Sequence, residues 1–328
     1  MKIAVIGDGG WGTANAMLLC GNGHDVTLWG AFPEYVEEMR RTRRNEKFLK
    51  GVELPAGLKL TANREEAVAG AEVVVLAPPS KYFASVMEGF KGLVDDRHLV
   101  VSLTKGLCEK TDKRMTVLAS EILGVKDVVA LAGPTHAEEV SRGIPTAIVA
   151  ACENEEKAKR VQELWSGPKF RVYTSTDPAG VEIGGAVKNV IAIAVGCSDG
   201  MNFGDNTRAA LITRGLAEMK RFVLAYGARP ETLSGLAGIG DLIVTCTSVH
   251  SRNHSVGERL GRGEKIADIL GSMQMVAEGV WNSKVVHDLA AKLGVEMPIC
   301  DVVYAVCYQG LDARKAAEAV MNRRLKSE

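Results

Sequence analysis

The sequence predicts an α/β domain built on a doubly wound parallel sheet, followed by an all-α domain. Three observations predict it. Short apolar runs alternate with amphipathic stretches through the first half. A glycine-rich loop sits at the first turn between such a run and such a stretch, Gly7-Asp8-Gly9-Gly10-Trp11-Gly12. Beyond Asp177-Pro178 the periodicity is helical and no convincing strand follows.

The predicted strands are Lys2–Gly7, Asp25–Trp29, Glu72–Ala77, His98–Thr104 and Asp127–Ala132. They are rich in valine, isoleucine and leucine and alternate little, as strands covered on both faces do. Thr146–Ala151 and Phe170–Thr174 extend the sheet. Amphipathic stretches at Trp11–Asn22, Pro33–Arg44 and Lys110–Leu123 fit the crossover helices. Later helices are expected over Val181–Cys197, Thr207–Tyr226, Val276–Leu293 and Asp301–Gln309. The boundary falls between residues 1–177 and 178–328. A chain of 328 residues agrees with two domains at about 150 residues each.

Composition excludes several classes. Lysine plus arginine total 40 and aspartate plus glutamate total 40, evenly spread, so no basic face for nucleic acid is expected. The seven cysteines form no CxxC pair and no zinc-spaced cluster. Buried thiols in a reducing cytoplasm explain them, with no metal site. The apolar runs, including Val187–Gly196, read as too short to cross a bilayer. Glycine, at 35 residues, marks places where backbone comes close to something.

Gly7, Gly9 and Gly12 match G-x-G-x-x-G in the required strand–turn–helix context, which makes the first domain Rossmann-like. The first glycine permits the tight turn, the second lets backbone approach a pyrophosphate, and the third allows close helix–strand packing. The helix N-terminus then offers N–H groups and a positive dipole to phosphate. NAD enzymes usually carry an acid where the second strand ends. Here that strand ends Trp29-Gly30-Ala31-Phe32, with neither acid nor arginine. Arg40, Arg41, Arg43 and Arg44 come later and read as a solvated helix face. The choice between NAD and NADP stays open.

Ligands of such sheets collect beyond the carboxyl ends of the strands. Lys105 follows one strand end and projects a cation there. Thr135-His136-Ala137-Glu138 follows another and reads as a capping box. Lys188 interrupts an otherwise apolar helix. Its neighbours three and four positions away are Gly184, Gly185, Ile191 and Ala192, which leave room beside the ammonium for a ligand. A desolvated lysine suits proton transfer near neutral pH. Asp241 and Thr245 lie four apart and share a helix face. Asp241 also has the option of capping that helix. Arg252 with Asn253 offers a fork and an amide to a phosphate. Lys105, Lys188 and Arg252 together would attract a small anionic substrate.

Several segments carry a closer likeness: GDGGWGTA (7–14), TKGL (104–107), AGPTHAEE (132–139), GGAVKNVIAI (184–193), TRGLAEM (213–219), GIGDLIVTCT (238–247), SRN (251–253) and GVEMPI (294–299). The chain resembles NAD(P)-dependent glycerol-3-phosphate dehydrogenase of the bacterial type, essentially end to end. The resemblance implies reversible interconversion of dihydroxyacetone phosphate and sn-glycerol 3-phosphate, which feeds glycerophospholipid synthesis. It implies Lys188 as catalytic acid/base, with Asp241 and Lys105 assisting. It places substrate at Lys105, Gly133, Thr135, Asp241, Ser251, Arg252 and Asn253, with Thr245 close by. It places cofactor, beyond the glycine loop, at Gly10, Trp11, Lys105, Ala137, Arg252, Val276 and Glu278. Ala31 departs from the family, whose members often carry arginine or histidine beside the adenosine ribose. A homodimer is the family-level expectation, in the cytoplasm and without membrane insertion. The competing readings are a ketopantoate-type or 3-hydroxyacyl reductase and a non-catalytic dinucleotide sensor. The Arg252–Asn253 pair argues against the first two, and the presence of Lys188 against the third.

Overall fold

A computed structural model describes residues 1–273, 275–322 and 324. The chain divides into two compact units, Met1–Cys108 with Lys113–Glu182, and Glu109–Asp112 with Ile183–Glu328.

The first unit carries an eight-stranded sheet. Its strands are β1 (Lys2–Ile6), β2 (Asp25–Trp29), β5 (Lys59–Thr61), β6 (Val73–Leu76), β7 (Leu99–Ser102), β8 (Val129–Ala132), β9 (Thr146–Ala151) and β10 (Phe170–Ser175). A separate two-stranded ribbon joins β3 (Arg44–Asn45) to β4 (Leu49–Glu53). The spatial order is β10-β9-β8-β7-β6-β1-β2-β5. The chain order reverses at β1, which pairs in parallel with β2 on one side and β6 on the other. That reversal is where such sheets bind ligands.

Both faces are buried, which explains the unbroken apolar runs. Ile3, Val5, Val73 and Val75 enter one core. Ala4, Ile6, Val74 and Leu76 enter another. The covering helices are α1 (Gly10–Gly21), α2 (Pro33–Thr42), α3 (Arg64–Val68), α4 (Ser80–Glu88), α5 (Met115–Leu123), α6 (Ala137–Ser141) and α7 (Glu155–Trp165).

Four expectations are corrected here. The sheet is not wholly parallel, because β9 runs antiparallel to β8. The Gly133–Pro145 segment that links them carries only the five-residue helix α6. Strands β3, β4 and β5 were not expected; they are short and polar and give almost no period-two signal. Arg43 and Arg44 leave the helix. Arg43 takes a left-handed conformation at φ 53° and binds the carbonyls of Pro55 and Leu58, while Arg44 enters β3. The Thr135–Glu138 capping box does not form. The helix starts at Ala137 with His136 as an uncapped N-cap, and Thr135 Oγ1 donates to the Gly133 carbonyl at 3.1 Å.

The regular structure among the described residues of the second unit is helical, with α8 (Pro178–Gly200, which begins within the first unit), α9 (Asp205–Ala225), α10 (Asp241–Thr247), α11 (Arg252–Gly261), α12 (Ile266–Ser272), α13 (Glu278–Leu293), α14 (Pro298–Tyr308) and α15 (Ala313–Met321). The length argument against a membrane span fails for α8. Its 23 residues are long and apolar enough, but 94% of the apolar window is buried inside the protein. It is a core helix.

Helices α8 and α11 touch backbone to backbone. A Cβ on Gly196 would meet the His254 carbonyl oxygen at 2.1 Å, and one on Gly257 would meet that of Ile193 at 2.1 Å. Gly200 and Gly261 repeat the contact one turn further along. Helices separated by side chains lie about 8–10 Å apart; here glycines remove the spacer.

Glu218 of α9 is 2% exposed and accepts the N–H groups of Ile299 at 2.8 Å and Cys300 at 3.3 Å, in the first turn of α14. Burial pushes its carboxyl up to about 7 from an ordinary 4.5. A folded pKa above the unfolded one means the folded state takes up a proton. This contribution to stability is complete below 4.5 and disappears as pH rises through about 7. Relative to Glu218→Gln, the protein is expected to lose up to about 3 kcal/mol between pH 4.5 and 8. Urea unfolding of both forms at the two pH values checks it; a constant difference would remove Glu218 from this role.

Candidate active site

The glycine loop follows β1 directly. A Cβ on Gly12 would stand 2.0 Å from the Gly7 carbonyl oxygen, so glycine there lets α1 pack onto the strand end. A Cβ on Gly9 would meet nothing within 4 Å. Gly9 is the N-cap of α1 without a side-chain cap, and the first turn carries no acid. The N–H groups of the first turn therefore face an open approach, which fits a pyrophosphate. Two unpartnered buried polar atoms adjoin it, Asp8 Oδ2 and Trp11 Nε1. Gly10 lies beside Ala137, with 3.6 Å between their Cβ positions.

Asn45 organises this loop and was not singled out from the sequence. It is fully buried, and its Nδ2 donates to Asp8 O and to Thr13 Oγ1, both at 2.7 Å. Its Oδ1 accepts from Tyr35 Oη at 2.7 Å. A lone asparagine in a charged run, Arg43-Arg44-Asn45-Glu46-Lys47, reads as surface.

At the carboxyl ends of β7 and β8 the structure joins Lys105, Gly133 and Thr135. Lys105 Nζ donates to the Gly133 carbonyl at 3.0 Å, which Thr135 Oγ1 shares. Ala31 lies exposed after β2.

In the second unit, Lys188, Asp241 and Thr245 form one buried network. Lys188 is 3% exposed and Asp241 1%. Lys188 Nζ lies 2.9 Å from Asp241 Oδ1 and donates to Thr245 Oγ1 at 2.6 Å. Thr245 Oγ1 in turn donates a hydrogen bond to the Asp241 carbonyl at 2.6 Å. Asp241 therefore pairs with the lysine, and the N-cap position of α10 belongs to Gly240. The room expected beside Gly184 is filled, because a Cβ there would meet Leu233 Cδ2 at 2.7 Å. Burial pushes the adjacent Cys246 thiol up to about 12, which leaves it inert as a nucleophile. None of the seven cysteines is in a disulfide; five are buried and Cys20 and Cys108 half-buried.

Ser251 Oγ caps α11 by accepting from His254 N at 3.2 Å. Arg252 is exposed, and its Nη1 donates to the Val276 carbonyl at 3.0 Å. Glu278 opens α13. Asn253 is engaged at both ends of its amide. Nδ2 donates to Asn189 Oδ1 at 2.9 Å, and Oδ1 accepts from Gly279 N at 2.8 Å. Asn189 thereby ties the residue after Lys188 to α11 and α13. Its adjacency to Lys188 was the available signal.

Family models of known proteins match both halves of the chain. The model of the NAD-dependent glycerol-3-phosphate dehydrogenase N-terminus matches residues 2–158, and that of the C-terminus matches 177–318. The chain is 48% identical to glycerol-3-phosphate dehydrogenase [NAD(P)+] of Chlorobium limicola, covering 100% of this chain and 99% of that protein. It is 50% identical to the enzyme of that name from Trichlorobacter lovleyi, with the same coverage of 100% and 99%. The crystal structure of glycerol-3-phosphate dehydrogenase from Coxiella burnetii superposes with a TM-score of 0.94 at 37% identity, covering 98% of this chain and 99% of that one. A ketopantoate reductase from Ralstonia eutropha shares the fold alone, at 17% identity and a TM-score of 0.64. With both halves matched and half of all residues shared, the chain belongs to the NAD-dependent glycerol-3-phosphate dehydrogenase family.

Proposed function

We propose that this protein interconverts dihydroxyacetone phosphate and sn-glycerol 3-phosphate, using a nicotinamide dinucleotide held at the glycine loop. The buried Lys188–Asp241–Thr245 network carries the reading. When bound, the nicotinamide supplies or takes the hydride at the substrate's second carbon.

The residues of this chain supply the rest. Reduction of the ketone places negative charge on its oxygen. Protonated Lys188 stabilises that charge and gives up a proton; in the reverse direction neutral Lys188 accepts one. Asp241 and Thr245 hold the ammonium in one orientation, so no reorganisation is needed when the charge develops. A buried lysine without that carboxylate would be strongly destabilising. Lys105, Gly133 and Thr135 present a cation and a hydroxyl to the anionic substrate. Arg252 and the N-terminus of α11 receive the phosphate. Binding energy from the phosphate positions the carbon for transfer. Gly10, Trp11, Ala137, Val276 and Glu278 line the nucleotide in this reading. Ser251 fixes the start of α11, and Asn253 fixes its distance from Lys188's helix. Seven cysteines free of disulfides support a reducing cytoplasm in this reading.

The test is oxidation of NADH and of NADPH with dihydroxyacetone phosphate, against ketopantoate and acetoacetyl-CoA. Turnover is expected with dihydroxyacetone phosphate alone. Faster turnover of either other substrate, or none with any, would overturn the proposal.

A further inference from the structure

Strand β2 ends at Trp29-Gly30-Ala31, without the carboxylate that ordinarily holds the ribose 2′-hydroxyl. In this chain an acid reaches the same place from the loop after β1. Asp8 is 8% exposed. Its Oδ2 has no hydrogen-bond partner. A Cβ built on Gly30 would lie 2.6 Å from that oxygen and 2.9 Å from Asp8 Cγ. The Asp8 carboxylate thus occupies the space that a side chain at position 30 would take, and glycine at 30 admits it. Gly7 N donates to Trp29 O at 2.9 Å, which holds the two strand ends level.

A buried carboxylate oxygen without a donor is costly. Desolvation raises the group to about 6, opposed by its own backbone N–H and by the charge of Lys47. Such an oxygen, at the strand end where ribose sits, is suited to an incoming hydroxyl.

We propose that Asp8 is the ribose-recognising residue, its Oδ2 accepting the 2′-hydroxyl of the dinucleotide and thereby selecting NAD(H) over NADP(H). A 2′-phosphate has no hydroxyl to donate there and brings like charge. The proposal rests on the dinucleotide reading above. Two groups face Asp8 from neighbouring elements. Tyr35 is neutral, and its hydroxyl donates to Asn45 Oδ1 at 2.7 Å. Lys47 is the opposing influence, since a cation favours a 2′-phosphate. Its ammonium lies over the rings of Phe32, Tyr35 and Phe48, at 5.7, 5.6 and 5.1 Å from their centroids.

Calorimetric titration of the full chain with NADH and with NADPH tests it, for the wild type and Asp8→Asn. NADH is expected to bind at least about tenfold tighter to the wild type, the low end for a hydrogen bond to an ionised group. Asp8→Asn keeps the shape and is expected to lose that preference. A wild type that binds NADPH as tightly or tighter assigns the choice to Lys47 and overturns the proposal. So does an unchanged ratio in Asp8→Asn. If the variant fails to fold, the wild-type ratio decides alone. Failure of both nucleotides to bind would instead sink the dinucleotide reading itself.

Discussion

Lys188→Ala is expected to lower turnover at least ~10²-fold while nucleotide affinity stays within about twofold. The loss follows from removing both the proton donor and the charge that meets the ketone oxygen. The substitution also strands Asp241, which is 1% exposed. Breaking a buried pair this way costs about 3–5 kcal/mol of stability. A fall in activity alone therefore has two explanations. The double variant Lys188→Met with Asp241→Asn separates them, because it leaves no buried charge. It is expected to melt near the wild type and remain inactive. Wild-type turnover in either folded variant would take Lys188 out of the reaction. A fall in substrate affinity with turnover intact would make it a binding group only.

The same substitution at two glycines of one loop is expected to do opposite things. Gly12→Ala drives a methyl to 2.0 Å from the Gly7 carbonyl oxygen and 3.0 Å from Ala77 Cβ. Neither backbone segment has room to give, so about 3 kcal/mol is lost, the upper end for overpacking. Gly9→Ala meets nothing within 4 Å, and its φ of −62° suits alanine. Stability is expected to hold or rise by about 0.4–1 kcal/mol. The methyl instead projects into the approach to the α1 N-terminus, and nucleotide affinity falls at least ~10-fold, about 1.4 kcal/mol. Thermal melting and nucleotide titration of the pair check both. Equal melting temperatures would show that α1 is not seated by Gly12. Undiminished affinity in Gly9→Ala would move the pyrophosphate elsewhere.

Much of this was legible in the sequence because it obeys short-range rules. Thr146–Ala151 appears as expected, residue for residue, a short run rich in small and β-branched residues. Gly12 announced its own contact through the spacing of the loop. Lys188 stood out by being a charge in an apolar helix, and Asp241 and Thr245 by sharing a face. What was hidden depends on partners far along the chain. The direction of β9 is settled by its pairing with β8, not by its composition. Asn45 looks like any loop asparagine until Asp8, Thr13 and Tyr35 close around it. The space expected beside Gly184 is filled by Leu233, which lies 49 positions away in sequence, and no local pattern brings it there. The cap at Thr135 failed for the opposite reason. A local signal was present, but the helix begins at Ala137 with His136 in the N-cap position, so Thr135 falls one residue short of it.

Where α8 crosses α11, peptide rests on peptide, and nothing between them has a rotamer to change. The crossing acts as a datum, in the machinist's sense of a reference surface from which other features are set. Asn253 stands one helical turn from Gly257, and Lys188 about two turns from Gly196. Each is therefore located by main-chain geometry, with no adjustable side-chain layer in the tolerance stack. Side chains elsewhere in the helical unit are free to drift, by thermal hops or by substitution, without altering where Lys188 sits relative to the start of α11.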